Sequence, residues 1–334
     1  MTIGQARIYK YRLPLVRPLL LKQFSLSHRE GLILELLNAD GRIGYGEAAP
    51  LVGFSRESID DSFGQLVNVL PGLCQQAKDS GAVDYMDQLL PPSAAFAIEG
   101  ALHSLNAPQG EMRPSVSPLL SGDCRSIVSR LQAWSNSWPA EFKLKVGRQA
   151  RQEDIKTVGA VLDILPESVK LRLDANRGWT TADVCCFARE VAVDRISYIE
   201  EPTLDASGFS RLYQETGLHY ALDESVQEPG FVLRPEPGLA ALVIKPTLVG
   251  GIRRIRTLTN DASLSGVRTV FSSAFESQIG VSLIARLSAE LVPGEEPGLD
   301  TLSAFARPLC QALPEPGASL PSEVFESMEL LWQF

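Results

Sequence analysis

The second two thirds of the chain are dominated by a rhythm. Short apolar runs recur at SVSPLL (115–120), FKLKV (142–146), VKLRLD (169–174), SYIEE (197–201), HYALD (219–223), ALVIK (241–245) and TVFSS (269–273), with PGLDT (297–301) as a last candidate. Most begin roughly 20 to 30 residues apart, the length of a strand plus a returning helix. Between them apolar residues recur at three and four, as over 151–164, 180–192 and 276–291. Eight strands alternating with helices predict a (β/α) barrel rather than an open doubly wound sheet.

The first hundred residues follow another pattern. Residues 3–13 and 31–38 alternate like strands, Ala39-Asp40-Gly41 supplies a turn, and a third strand follows over 42–48. Helical spacing then runs over 57–70 and 93–105, with Ser93 after Pro91-Pro92 as the expected helix cap. This part reads as α+β, and Pro108 to Pro114 reads as a hinge. Gly44-Tyr45-Gly46-Glu47-Ala48-Ala49 is no dinucleotide fingerprint, because Pro50 stands where a helix should open. Gly250-Gly251 lacks the Lys-Ser/Thr of a phosphate loop.

In a barrel, functional side chains sit at the C-terminal ends of the strands. Read in order, those ends carry Lys143 and Lys145, Asp174, Glu200, Asp223, Lys245 and then Ser272. One charged strand end is ordinary solvation; acids on three consecutive strands flanked by lysines form a pattern. Three converging carboxylates need a cation, and oxygen-only ligands favour Mg²⁺ or Mn²⁺ over zinc. Asn176, Glu201 and Glu224 could orient those ligands or simply be solvated loop residues. A lysine acts as a base only when neutral, which a neighbouring ammonium, a divalent cation and burial all favour. Lys143 beside Lys145 supplies the like charge, and Lys245 could stay protonated and stabilise negative charge. A carboxylate substrate with a lysine at its α-carbon defines proton abstraction to an enediolate, a pairing of lysine base and Mg²⁺ already familiar from the enolase-type sites.

Composition limits the partners. A net charge of −9 argues against nucleic acid or an acidic membrane surface. The start, MTIGQARIYKYRLPL, lacks the apolar core of a signal peptide, and no apolar run reaches membrane-spanning length. Cys74, Cys124, Cys185, Cys186 and Cys310 are odd in number without zinc-site spacing, which fits reduced thiols of a cytoplasmic protein. His28, His103 and His219 are scattered and read as structural. The expected partner is a small carboxylate substrate, and the chain is expected to be a monomer or a weak homo-oligomer.

Nearly the whole chain resembles the muconate-lactonizing-enzyme-like branch of the enolase superfamily, most closely the bacterial o-succinylbenzoate synthases. The resemblance is carried by REGLILEL, GYGEAAPLVGFS, FKLKVG, LRLDANRGW, IEEP, LDES, VIKPTLVGG, SSAFESQIG and PGLDTL in that order. It implies a modified (β/α) TIM-type barrel, an α/β fold, with an N-terminal α+β capping domain. The cap would span 1–110, the barrel 111–303, and a segment over 304–334 would return to the cap. Loops near 16–29 and 50–55 would close over the barrel mouth. Carried across by motif, Lys145 would be the base, supported by Lys143, which would contact the substrate. Asp174, Glu200 and Asp223 would hold Mg²⁺ or Mn²⁺, and Lys245 would stabilise the enediolate. Ser272 and Gly298 would approach a substrate carboxylate. Arg172 is either a further substrate contact or a salt-bridge partner inside the barrel. The implied reaction is dehydration of 2-succinyl-6-hydroxy-2,4-cyclohexadiene-1-carboxylate to 2-succinylbenzoate, a step in menaquinone biosynthesis.

Other readings use some of the same residues. An N-acylamino-acid racemase or dipeptide epimerase would use Lys145 and Lys245 as bases on opposite faces of the α-carbon. EEP, PGLDT and SSAFESQIG resemble the synthases more, and the Asp-x-Asp that holds an ammonium group in dipeptide epimerases is missing. A Schiff-base aldolase would not need three clustered acids. A barrel without catalysis would gain nothing from clustered charge.

Overall fold

The computed structural model describes residues 2–21, 23–76, 90–106, 116–311 and 317–334. Within FKLKV the alternation works as the pleat requires: Phe142, Leu144 and Val146 are buried in the apolar layer, while Lys143 and Lys145 face the other way. The same division recurs on the next strand, where Leu171 and Leu173 join that layer and Arg172 and Asp174 oppose the lysines. Each such strand therefore has an apolar face toward helices and a polar face toward the barrel interior.

Three antiparallel strands open the chain: β1 (Ile3–Leu21), β2 (Phe24–Asn38) and β3 (Ile43–Ala48). Helices α1 (Ile59–Gln76) and α2 (Pro92–Asn106) pack on them, burying Ile8, Leu34, Leu36, Leu66, Leu70 and Ala101 in one cluster. Gly44 and Gly46 are glycine for that packing, since a Cβ there would lie 2.1 Å from Ala101 O and 1.9 Å from Ala97 O. The β1–β2 ladder runs much further than the predicted 3–13 and 31–38. It resumes past a break at Pro14 and continues to Leu21 opposite Phe24, so much of the expected 16–29 loop is hairpin. Ser93 is not a cap: the helix starts at Pro92, which needs no hydrogen-bond partner at that position. The Ser93 amide donates instead to Glu57 Oε1 at 3.0 Å.

Seven parallel strands follow, side by side in chain order: β4 (Leu119–Leu120), β5 (Glu141–Lys145), β6 (Lys170–Asp174), β7 (Ile196–Glu200), β8 (Tyr220–Leu222), β9 (Leu239–Ile244) and β10 (Arg268–Phe271). Helices α3 (Cys124–Gln132), α4 (Arg151–Leu162), α5 (Thr181–Glu190), α6 (Phe209–Thr216), α7 (Pro246–Val249), α8 (Ile252–Leu264) and α9 (Gln278–Leu291) intervene. The predicted eighth strand is reduced to one bridge, Ser272 to Gly298, because Pro297 has no amide to extend a ladder. That short segment still closes the ring. Gly298 N donates to Phe271 O at 2.8 Å, and Pro297 O accepts from Ser117 N at 3.1 Å. The expected hinge at 108–114 and the expected boundary at 110/111 lie outside the described residues.

After the short helix α10 (Ser322–Glu326), β11 (Met328–Gln333) pairs antiparallel with β1, from Arg7↔Gln333 to Tyr11↔Met328. The first sheet thus has the order β11-β1-β2-β3. Glu47 on β3 joins the two sheets' layers: it accepts from Ser277 N and Gly280 N, both at 2.8 Å, at the start of α9. A carboxylate there satisfies free amides and suits the positive end of the helix. No described helix is long and apolar enough to cross a membrane.

Candidate active site at the barrel mouth

The ends of β5, β6 and β7 are in register, with Lys145 opposite Asp174 and Asp174 opposite Glu200. Asp223 follows β8 directly and Lys245 follows β9. One carboxylate oxygen from each of Asp174, Glu200 and Asp223 lies within 4.8 Å of the other two, and all three residues are buried. The three lysines meet them. Lys143 Nζ lies 2.5 Å from Glu200 Oε2 and 2.9 Å from Asp174 Oδ2. Lys145 Nζ lies 2.6 Å from Asp174 Oδ2, and Lys245 Nζ pairs with Asp223.

The lysines are not in equal states. Burial holds the Lys145 ammonium below the ordinary lysine range; Asp174 opposes this, while Lys143 and Lys245 reinforce it. Burial also works against charge on Lys143, but Asp174, Glu200 and Asp223 outweigh it and hold this lysine well above its usual value. Lys245 is raised in the same way, with Asp223 and Glu224 prevailing over burial. Among the acids, Asp174 is held well below the carboxylate range: burial would raise it, but all three lysines lower it. Glu200 is pushed up to about 7 by burial and by repulsion from Asp174 and Asp223. Burial and mutual repulsion thus work against charge on this acid even with Lys143 beside it. Three buried, oxygen-only donors fit a hard divalent cation.

The neighbouring polar residues hold this arrangement in place. Asn176 accepts from Lys145 Nζ at 2.7 Å through Oδ1 and donates to Glu224 Oε1 at 3.2 Å, while its amide donates to Asp174 Oδ1. Glu201 accepts from the amides of Asp223 and Ser225 at 3.0 and 2.8 Å, fixing the turn that carries Asp223. Burial and Asp223 push Glu224 up to about 7. Gln227, unremarked in the sequence, donates to Asp223 Oδ1 at 3.1 Å. Its only sequence signal was its place just after LDES.

A cavity opens over the cluster, lined by Lys143, Lys145, Asp174, Asn176, Lys245, Ser272 and Gly298. Its outer wall comes from the first sheet and the loop after it, through Leu19, Leu21, Leu51 and Phe54. Leu21 and Leu51 pack with Leu248 and Ala274 of the barrel. Ser272 Oγ donates to Gly298 O at 3.2 Å, and a Cβ on Gly298 would come within 3.2 Å of that hydroxyl. Arg148, Ser273, Asp300 and Thr301 also line the cavity. Arg148 comes from a loop without strand periodicity; Ser273, Asp300 and Thr301 end the runs TVFSS and PGLDT, which the spacing marked without singling out these residues.

Of the two readings of Arg172, the structure shows the salt-bridge partner inside the barrel. It does not line the cavity; its guanidinium pairs with Glu141 and with Glu295 Oε1 at 2.7 Å and donates to Glu296 O at 2.9 Å. Arg268 joins the same cluster, 2.8 Å from Glu141 Oε2. The reason is depth: two residues along a strand is about 6.6 Å, which puts Arg172 in the barrel interior beneath Asp174. The histidines are elsewhere, His103 beside Glu290, His219 beside Gly238 O and His28 beside Ser27.

Residues 127–310 match the family described as Enolase C-terminal domain-like, and residues 3–105 match the MenC N-terminal domain. The o-succinylbenzoate synthase of Pectobacterium atrosepticum is 36% identical over 98% of this chain and 99% of its own. That of Edwardsiella ictaluri is 37% identical over the same shares. Among solved structures, the o-succinylbenzoate synthase of Thermosynechococcus elongatus, with magnesium in its active site, superposes with a TM-score of 0.71 at 26% identity, covering 91% of this chain and 95% of that one. The L-Ala-D/L-Glu epimerase of Bacillus subtilis shares the fold with a TM-score of 0.78 at 20% identity, covering 95% and 98%.

Proposed function

The chain belongs to the o-succinylbenzoate synthase family of the enolase superfamily, and from that premise we propose how its residues divide the work. It is an enzyme, a hydro-lyase that dehydrates 2-succinyl-6-hydroxy-2,4-cyclohexadiene-1-carboxylate to 2-succinylbenzoate in menaquinone biosynthesis. Asp174, Glu200 and Asp223 would hold Mg²⁺, or Mn²⁺ in its place. When bound, the ion supplies positive charge to the substrate's ring carboxylate.

Lys145 takes the α-proton at the carbon bearing that carboxylate. Lys245, held protonated, donates to the enediolate that results. Lys143 keeps its charge between Asp174 and Glu200 and supports Lys145 from the same strand face. The proton on Lys145 then passes to the departing β-hydroxyl, so water leaves and the ring becomes aromatic. Because proton and hydroxyl depart on one face, a single base serves both steps, a syn elimination. Asn176 keeps Lys145 in position, and Glu201 and Glu224 order the turn around Asp223. Ser272 and Gly298 shape the wall beside the substrate. The cap of 1–110 and the returning segment of 304–334 exclude water above the barrel of 111–303.

The observation that carries these roles is the convergence of Lys143, Lys145 and Lys245 on the acid cluster beneath one cavity. Incubating the purified protein with the cyclohexadiene substrate and Mg²⁺ tests the reading: an ultraviolet spectrum turning to that of 2-succinylbenzoate is expected. N-succinylamino acids incubated in D₂O provide the contrast. Deuterium exchange there, with no dehydration of the cyclohexadiene, would overturn the reading in favour of racemisation.

A further inference from the structure

The substrate carries two carboxylates, and the cluster of acids and lysines deals with one. The ring carboxylate is bonded to the carbon that loses its proton, so it lies beside Lys145 and Lys245. The other ends the succinyl chain, two methylenes beyond a ketone, and reaches away from that cluster. Against a wall containing Leu19, Leu51 and Phe54, a carboxylate is unfavourable unless a donor meets it.

Four cationic side chains line the cavity: Lys143, Lys145, Lys245 and Arg148. Each lysine is already paired with a carboxylate of the acid cluster. Arg148 has no hydrogen-bond or ion-pair partner among the described residues. Its place is nonetheless built. Gly147, with φ of 76°, turns the chain sharply after β5, and its amide donates to the buried Asp154 at 2.8 Å. A Cβ on Gly147 would come within 3.0 Å of Ala175 O, so the turn is pressed against the loop after β6. Arg148 therefore sits three residues past Lys145 at the exposed edge of the cavity. The cavity's own Asp300 does not compete for it, since its Oδ2 accepts from Leu119 N at 3.3 Å and lies 4.0 Å from Arg130.

We propose that Arg148 binds the terminal succinyl carboxylate through its planar pair of donors, a proposal that rests on the reaction given above. Arg148→Met and the unaltered protein are compared in two measurements. In turnover, the variant is expected to raise KM by about 10- to 100-fold and to keep kcat within about threefold, the signature of lost ground-state binding. In calorimetry, binding of 2-succinylbenzoate is compared with 2-butanoylbenzoate, which lacks the terminal carboxylate. The unaltered protein is expected to prefer the former by about tenfold or more, and the variant to lose that preference. An unchanged KM overturns the assignment. So does a raised KM with the preference intact, because Arg148 would then act on another part of the molecule. If the unaltered protein does not turn the substrate over, the proposed reaction falls, and the calorimetric preference decides Arg148 alone: its loss in the variant supports the assignment, its persistence overturns it.

Discussion

Arg172 and Asp174 stand two residues apart on β6 and point the same way, yet they belong to separate ion clusters. Asp174 meets Lys143 and Lys145 at 2.9 and 2.6 Å under the cavity. Arg172, one pleat deeper, meets Glu141 and Glu295, and Arg268 completes that cluster. The upper layer is the one proposed to do chemistry and the lower one ties side chains together in the barrel interior, so the two should respond differently to substitution.

Lys145→Ala removes the proposed base. Turnover should fall by about 10³-fold or more, while the circular dichroism spectrum and divalent-cation affinity stay near those of the unaltered protein. A variant within tenfold of the normal rate would show that the proton goes elsewhere.

Asp223→Asn removes one negative charge from the acid cluster. Calorimetric titration with Mg²⁺ should show affinity weaker by about tenfold or more, and a chelator should abolish turnover in the unaltered protein. Full activity in excess chelator would remove the cation from the reaction.

Glu141→Leu takes one of its two carboxylates from the buried Arg172 and leaves it Glu295. Loss of one partner from a buried ion cluster costs about 3–5 kcal/mol, read as a lower denaturation midpoint. Mg²⁺ affinity should hold, because the acid cluster lies in the other layer. Unchanged stability would mean the lower layer is not structural.

Glu276 supplies a pH dependence. Burial first, then Glu47, pushes its carboxyl from 4.5 up to about 7, against backbone hydrogen bonds and Arg29, and its Oε1 has no partner. Between those values the folded chain keeps a proton that the unfolded chain has released, so stability falls as pH rises through that window. The loss should reach at most about 3 kcal/mol by pH 8. Glu276→Gln should flatten the melting temperature over pH 5 to 8; an equally steep decline would place the effect in another group.

Much of this was legible beforehand because strands alternate with period two. That period put Lys143 and Lys145 on one face and, with the spacing of the runs, lined up Asp174, Glu200 and Asp223. It could not place Arg172, since it assigns a face and says nothing of depth. Nor could it show that Leu19 and Leu21 continue a hairpin past Pro14 and help wall the cavity. Arg148 escaped for another reason: a loop has no period, and its role follows only from every other cation being paired.

The repulsion between Lys143 and Lys145, readable from FKLKVG, is one part of why Lys145 is held low; burial is the larger part. The sequence by itself determined the order of strands and helices, the polar face of β5 and β6 and the residue types at the strand ends. Only the tertiary structure decided which of those side chains share one buried volume. Burial and charge are sums over neighbours that lie tens of residues apart, and no local pattern contains that sum.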